Sequence, residues 1–140
     1  MVIGAFWTAL YSRLAGGTAL TSLVGGTASP RIYHNQAPDA ATLPYVVFNW
    51  QGGGYQHSTP SIDVDGILTI QAYSDVGQVQ AGSISAAVFS LLDRLPLTIT
   101  GWGNPALFAE TPHLQANYTD PSGLTTYSCG DTYRVYLDKN

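Results

Sequence analysis

Two periodicities alternate along this chain of 140 residues. Near the N-terminus, Ile3, Phe6, Leu10 and Leu14 recur three and four residues apart with Trp7 beside them, which predicts a helix over about Gly4–Ala15. Gly16-Gly17 closes that pattern, as glycine does at a helix C-terminus. Thr18 is placed to cap a short second helix carrying Ala19, Leu20, Leu23 and Val24, and Gly25-Gly26 ends it, because glycine takes positive φ without steric cost. The period then shortens. Pro30–His34 reads as a short extended piece, Asn35–Pro44 as a polar loop, and Tyr45–Trp50 as a strand rich in β-branched and aromatic residues. Gly52-Gly53-Gly54 opens a stretch, Gln51–Ser61, that reads as a long hairpin loop or arm. Ile62–Tyr73 follows as a strand with Leu68, Ile70 and Ala72 on one nearly apolar face and a mixed face opposite.

Helical spacing returns after Ser74. Asp75 with Gln78 resembles a capping box, and Ile84, Ala87, Val88, Leu91, Leu92 and Leu95 trace a broad apolar stripe that Pro96 stops. Leu97–Thr100 reads as a short strand and Gly101–Pro105 as a turn carrying Trp102. Leu107–Tyr118 and Thr125–Asp138 read as two long strands joined through Thr119–Gly123, which has the residue types of a turn. The order α-α-β-β-β-α-β-β-β predicts an α+β fold: a mainly antiparallel β-sheet with one long and one or two short α-helices packed on one face. With no internal repeat or boundary in the pattern, residues 1–140 are expected to form a single domain.

Composition changes this picture in one respect. Asp, Glu, Lys and Arg make up 10% of the residues, against about 25% in an ordinary soluble domain. With 9 Tyr, 3 Trp and 4 Phe, that balance matches the cores of protein interfaces, which are poor in charge and rich in aromatics. A Ser/Thr/Gly-rich habit of the lineage accounts for it equally well. The net charge of −4 and the scatter of Arg13, Arg31, Arg94, Arg134 and Lys139 argue against a grip on nucleic acid, which needs a basic patch. The single cysteine, Cys129, excludes an intrachain disulfide. The apolar start lacks a basic flank and does not read as a signal peptide, and no run approaches the roughly 20 apolar residues of a membrane span.

Candidate chemistry is sparse. Asp63 and Asp65 share one face of a strand, where two carboxylates can share a metal or a proton, but further ligands are wanting and solvated carboxylates are the simpler reading. His34, His57 and His113 fall in separate elements without ligand spacing, and Cys129 reads as a half-buried strand residue. No Gly-Lys-Ser/Thr follows the three glycines, so they form no phosphate loop. No catalytic constellation, metal site or cofactor site emerges.

A resemblance enters on the order of several short segments. Leu10–Ala15, Ala19–Gly26, Arg31-Ile32-Tyr33, Gln36-Ala37-Pro38 and Leu43–Phe48, then Ile70–Ser74 and the helix ending before Pro96, together resemble the tail-completion (tail-terminator) protein family of long-tailed bacteriophages. The likeness covers most of the chain to about residue 100. Asp63-Val64-Asp65-Gly66 stands where family members often carry a basic residue, and the glycine stretch is unusually bare. The resemblance implies a structural virion protein, not an enzyme, assembled in the host cytoplasm without cofactors. It implies a ring of copies, usually six, capping the head-proximal end of the tail tube, between tail-tube protein and head connector or stopper, with DNA passing through the lumen unbound. For intersubunit contacts the candidates are Gln51, Gly52, Gly53, Gly54, Tyr55, Gln56 and His57 in the arm and Asn35 and Gln36 in the preceding loop; Thr119–Gly123 is a further one. Rival readings are another neck subunit such as a stopper or adaptor, a carbohydrate-binding module stacking sugars on Tyr and Trp, and an enzyme using Asp63, Asp65 or His113.

Overall fold

The apolar N-terminal stripe forms α1, Ile3–Ala15, and its Phe6, Leu10 and Leu14 are fully buried in a computed structural model that describes residues 3–58, 61–99, 102–112 and 116–139. Arg13, on the last turn, donates from Nη1 to the carbonyl of Leu91 at 3.1 Å and from Nη2 to that of Pro96 at 2.7 Å. It thereby ties α1 to the far end of another helix. The short α2 spans Thr18–Thr21. Thr18 is its first residue rather than its cap; Gly17 holds the cap position, with φ −87° and no side-chain hydrogen bond. Gly17 is needed for room instead of φ, since a Cβ there would stand 2.5 Å from Leu91 Cδ1. Gly25 and Gly26 do adopt positive φ, 106° and 91°, as expected.

Six strands follow the helical pair: β1 Ile32–His34, β2 Tyr45–Ser58, β3 Ser61–Ser74, β4 Trp102–Pro112, β5 Ala116–Thr119 and β6 Thr125–Lys139. Between β3 and β4 lies α3, Gln78–Leu92. The strands form one sheet in the order β1-β2-β3-β6-β4, with β5 also on β6. Every pairing is antiparallel except β1 with β2. The α+β architecture is thus as expected, while several local readings differ: α3 ends at Leu92, short of Leu95, and Leu97–Ile99 is not one of the six strands. Gln51–Ser58 is not a loop: β2 runs on through it, paired with β3 as far as Ser58↔Ser61, after a bulge between Trp50 and Gly52. The glycines hid a strand because Gly53 (φ 115°) sits against β3, where a Cβ would lie 2.3 Å from the Asp65 carbonyl oxygen.

The other differences have equally local causes. Asp75 does not cap α3. Ser74 Oγ accepts from the Val76 N–H at 3.0 Å and is hydrogen-bonded to Gln80, while Gly77 holds the cap position without a side-chain bond. Trp102 belongs to β4 and not to a turn. The single strand expected over Leu107–Tyr118 is two, β4 and β5, both laid along β6, with bulges in β4 between Gly103 and Ala106 and between Ala109 and Thr111.

All three helices cover the same face of the sheet. Phe6, Leu10, Leu14, Leu20, Ile84, Val88 and Leu92 meet Val46, Phe48, Leu68, Ile70, Ala72, Tyr133, Val135 and Leu137 in one cluster. Burying the apolar face of each element is the main stabilising term. Burial raises the pKa of the Tyr133 hydroxyl, and neighbouring Asp131 and Asp93 push it the same way, so it stays neutral. At the edge of this core Trp50 packs edge-on to Phe6 and Trp7, at centroid distances of 6.1 and 6.0 Å. Its indole covers Gly66, where a Cβ would stand 1.9 Å from Trp50 Cζ2.

Gly66→Ala is therefore expected to destabilise the fold by about 1–3 kcal/mol, the usual cost of overpacking. Gly82 lies in α3, and a Cβ there would meet nothing within 4 Å, so Gly82→Ala is expected to stabilise by up to ~1 kcal/mol through helix propensity. Urea unfolding of both variants checks the pair; equal shifts would refute the close approach of Trp50.

Candidate interaction surface

The sheet has two sides at which further backbone can pair, and most of this border is closed. At β1, main-chain groups alternate: Val46 N donates to Arg31 O at 3.0 Å and Asn35 N to Phe48 O at 2.9 Å, so Ile32 and His34 face outward. Outward groups there are engaged locally, Ile32 N by Pro30 O and His34 O by Gln36 N. Along β4, the Leu107 carbonyl accepts from Arg94 N and the Ala109 N–H donates to Asp93 Oδ1, each at 2.8 Å. The residues just beyond α3 thus cover that edge, with Arg94 at φ 61° to make the turn. Besides the end strands β1 and β4, which carry these local bonds, two stretches lack a partner strand on one side among the described residues: β2 beyond Phe48, and β5.

The candidate contact residues fall here. Gln51, Gly52, Gly53, Gly54, Tyr55, Gln56 and His57 all lie on the open stretch of β2. Asn35, at φ 66°, stands where β1 ends and that stretch begins. Gln36 instead lines a groove of about 510 Å³ between α1 and β1, with Trp7, Tyr11, His34, Pro38 and Phe48 among its walls. Within it the His34 ring stacks on Phe48 at 5.1 Å and meets Trp7 at 4.3 Å. Asn35 is hydrogen-bonded to Phe48, just before the open stretch, and Gln36 lies in the groove. Thr119–Gly123, the third candidate, forms the β5–β6 turn, held by Asp120: its Oδ1 accepts from Ser122 Oγ at 2.6 Å and from the Ser122 and Leu124 N–H groups at 3.0 Å each.

The uncovered face of the sheet is polar with aromatic margins. Tyr33, Tyr45 and Tyr73 contact one another in turn, at 5.8 and 5.3 Å, close to the exposed Tyr118. Burial raises the pKa of Tyr73 and Tyr45, with the adjoining tyrosine a lesser cause in each. Asp65 lies on this face in a two-toothed pair with Arg134, at 2.8 and 3.0 Å, and Glu110 lies 3.7 Å from the same guanidinium. Sequence spacing pointed to an Asp63–Asp65 pair and missed Arg134, which only the β3–β6 register brings alongside. Among the described residues no group of three or more His, Cys, Asp or Glu is placed to hold a metal. Cys129 is half-buried on β6, as expected, and His113 lies outside the described residues.

The helical layer is almost uncharged. Residues 78–92 carry no Asp, Glu, Lys or Arg, and beside or on that helix Val76 and Val79 are 73% and 85% exposed. No helix among the described residues is long and apolar enough to cross a membrane.

Comparison with known proteins places these features. The model of the family described as tail completion protein gp17 matches residues 8–138. Among solved structures, a chain of the virion of a native gene transfer agent particle is similar at a TM-score of 0.75 and 19% identity, over 98% of this chain and 97% of that one. The gp17 protein of bacteriophage SPP1 is similar at a TM-score of 0.51 and 21% identity, over 98% of this chain and 90% of that one. No curated protein matches the sequence.

The Asp120 turn generates a pH dependence. Hydrogen bonds from Ser122 and then Leu124 hold the Asp120 carboxyl below its ordinary pKa of 3.8. A depressed folded-state pKa contributes stability that is present above the unfolded value and lost as pH falls through the folded one. The protection of the Leu124 amide, relative to its intrinsic exchange rate, is expected to fall as pH drops below 3.8 through the lowered carboxyl pKa and to be absent at all pH values in Asp120→Ala. An acid-insensitive amide in the unaltered protein would refute the assignment.

Proposed function

This chain belongs to the tail completion protein gp17 family, and on that premise we propose that it works as a ring at the head-proximal end of a phage tail tube. Membership makes it a structural component of a phage tail; the ring, its place and its partners are the further step. The observation that carries this reading is the family match over residues 8–138, nearly the whole chain. Copies of the chain, six in the family's usual arrangement, end tube polymerisation, rest on tail-tube protein and present a face to the head connector or stopper. The particle is assembled in the host cytoplasm and retains the ring.

Three features support it. A ring needs a heterologous contact, in which one surface meets a different surface of the next copy. The open stretch of β2, Gln51–His57 with Asn35 beside it, and the β5 side of the sheet are two such surfaces at opposite borders. The uncharged, partly apolar outer face of α3 suits burial against neighbours. Asp65 and Glu110 beside Arg134 on the uncovered sheet face leave it net negative, which lets DNA slide past without binding. The reading involves neither cofactor nor catalytic residue, and Gln36 contributes through the α1–β1 groove.

The test is the mass in solution by light scattering over a concentration series, then with tail-tube protein added. A ring, or a monomer that becomes a ring on tube ends, is expected. A chain that stays monomeric and ignores tubes overturns the proposal. Asp63→Asn is expected to assemble unchanged; Asp65 is unsuitable for that control, because its carboxylate holds Arg134.

A further inference from the structure

We infer that neighbouring copies join by main-chain strand addition, the open edge of β2 from Trp50 onward receiving β5 of the next copy. The inference rests on the ring reading and adds which backbone groups form the joint. Parity identifies them on β2. Val46 and Phe48 turn their main-chain groups toward β1, since Val46 N donates to Arg31 O and Phe48 O accepts from Asn35 N. Trp50 is the next residue of that parity, and β1 ends at His34, opposite Phe48. The N–H and C=O of Trp50 therefore face the border, with no strand alongside among the described residues.

The donor follows by elimination. β1 is occupied by local bonds at Ile32 N and His34 O, and β4 is covered at Leu107 O and Ala109 N by Arg94 and Asp93. β5 shows no such local bond on its outward side among the described residues, and all four of its residues are exposed, with Tyr118 at 67%. Its parity is legible at the turn. Asp120 N donates to Leu124 O, so those residues face each other, Tyr118 faces β6, and Asn117 and Thr119 face outward.

Direction and chemistry agree. β2 and β6 are both antiparallel to β3, and β5 is antiparallel to β6, so β5 runs opposite to β2 when the sheet continues into the next copy. The joint is then antiparallel, the more stable pairing. Free-standing edge strands are defended by lysine or other charge. Residues 45–58 and 116–119 contain no Asp, Glu, Lys or Arg, which suits an edge that is covered by a second copy. The bulge at Trp50–Gly52 bends β2 just where the neighbour begins.

The experiment compares the unaltered chain with Asn117→Ala and Asn117→Pro, in the assembly conditions above, and follows the Trp50 amide by hydrogen exchange. Proline at position 117 removes an outward N–H and leaves the β5–β6 ladder intact, since edge positions tolerate it. The unaltered chain and Asn117→Ala are expected to form rings. Asn117→Pro is expected to remain monomeric with an unchanged unfolding midpoint. The Trp50 amide is expected to exchange at least about tenfold more slowly in the ring than in the monomer, as ladder amides do. Rings formed by Asn117→Pro, or a Trp50 amide that exchanges equally fast in ring and monomer, overturn strand addition while leaving the ring reading standing. If Asn117→Pro fails to fold, the Trp50 amide of the unaltered chain decides alone. An unaltered chain that never assembles removes both.

Discussion

Each backbone N–H and C=O taken out of water needs a hydrogen-bond partner, and that demand orders this molecule more than any single side chain does. It explains why β2 continues through three glycines: β3 offers a partner at every step from Tyr45↔Tyr73 to Ser58↔Ser61, apart from the bulged residue. It explains the segment after α3, where Asp93 and Arg94 satisfy the side of β4 that β6 does not. Arg13 belongs to the same accounting, since its guanidinium takes up the carbonyls of Leu91 and Pro96 near the C-terminal end of α3. β2 beyond Phe48 and β5 are where, among the described residues, this demand has no partner strand on one side.

The scarcity of charge acquires a meaning from this layout. An ordinary domain surrounds its core with Lys, Glu, Asp and Arg, which keep surfaces apart. Here α3 has none within residues 78–92, and Asp65 and Glu110 stand beside Arg134 on the uncovered face of the sheet. Composition alone left two readings open, a habit of the lineage or a surface that is mostly interface. The unpaired backbone of β2 and β5 lies in uncharged stretches, as the proposed interface requires, although other stretches of the chain are uncharged as well.

Periodicity made most of the fold legible. The stripe of α1 and the alternation of Leu68, Ile70 and Ala72 arise from burial against a single face, and burial leaves a strong mark in sequence. The misread parts are those where local residue preference and tertiary contact disagree. Gly52-Gly53-Gly54 has the composition of a loop and the pairing of a strand. Asp75 stands where a cap residue is expected, yet Ser74 supplies the bond. Of the candidate surface, the arm and Asn35 were accessible because glycine and polar loop residues attract notice. The closure of β4 by Asp93, the Asp65–Arg134 pair and the Trp50–Gly66 approach were not, since each joins residues far apart in sequence and none has a spacing rule.

Low sequence identity then becomes intelligible. A chain from a gene transfer agent virion shares 19% of residues with this one and yet superposes at a TM-score of 0.75. A fold whose central requirement is that one sheet face be apolar and that backbone groups be paired can be met by many sequences. Only close approaches demand a given residue, as Gly66 under Trp50 and Gly53 against Asp65 do. A joint between copies made by main-chain hydrogen bonds has the same tolerance, because every residue except proline presents the same donor and acceptor. Specificity in such a joint comes from strand length, parity and bulge position more than from side-chain identity.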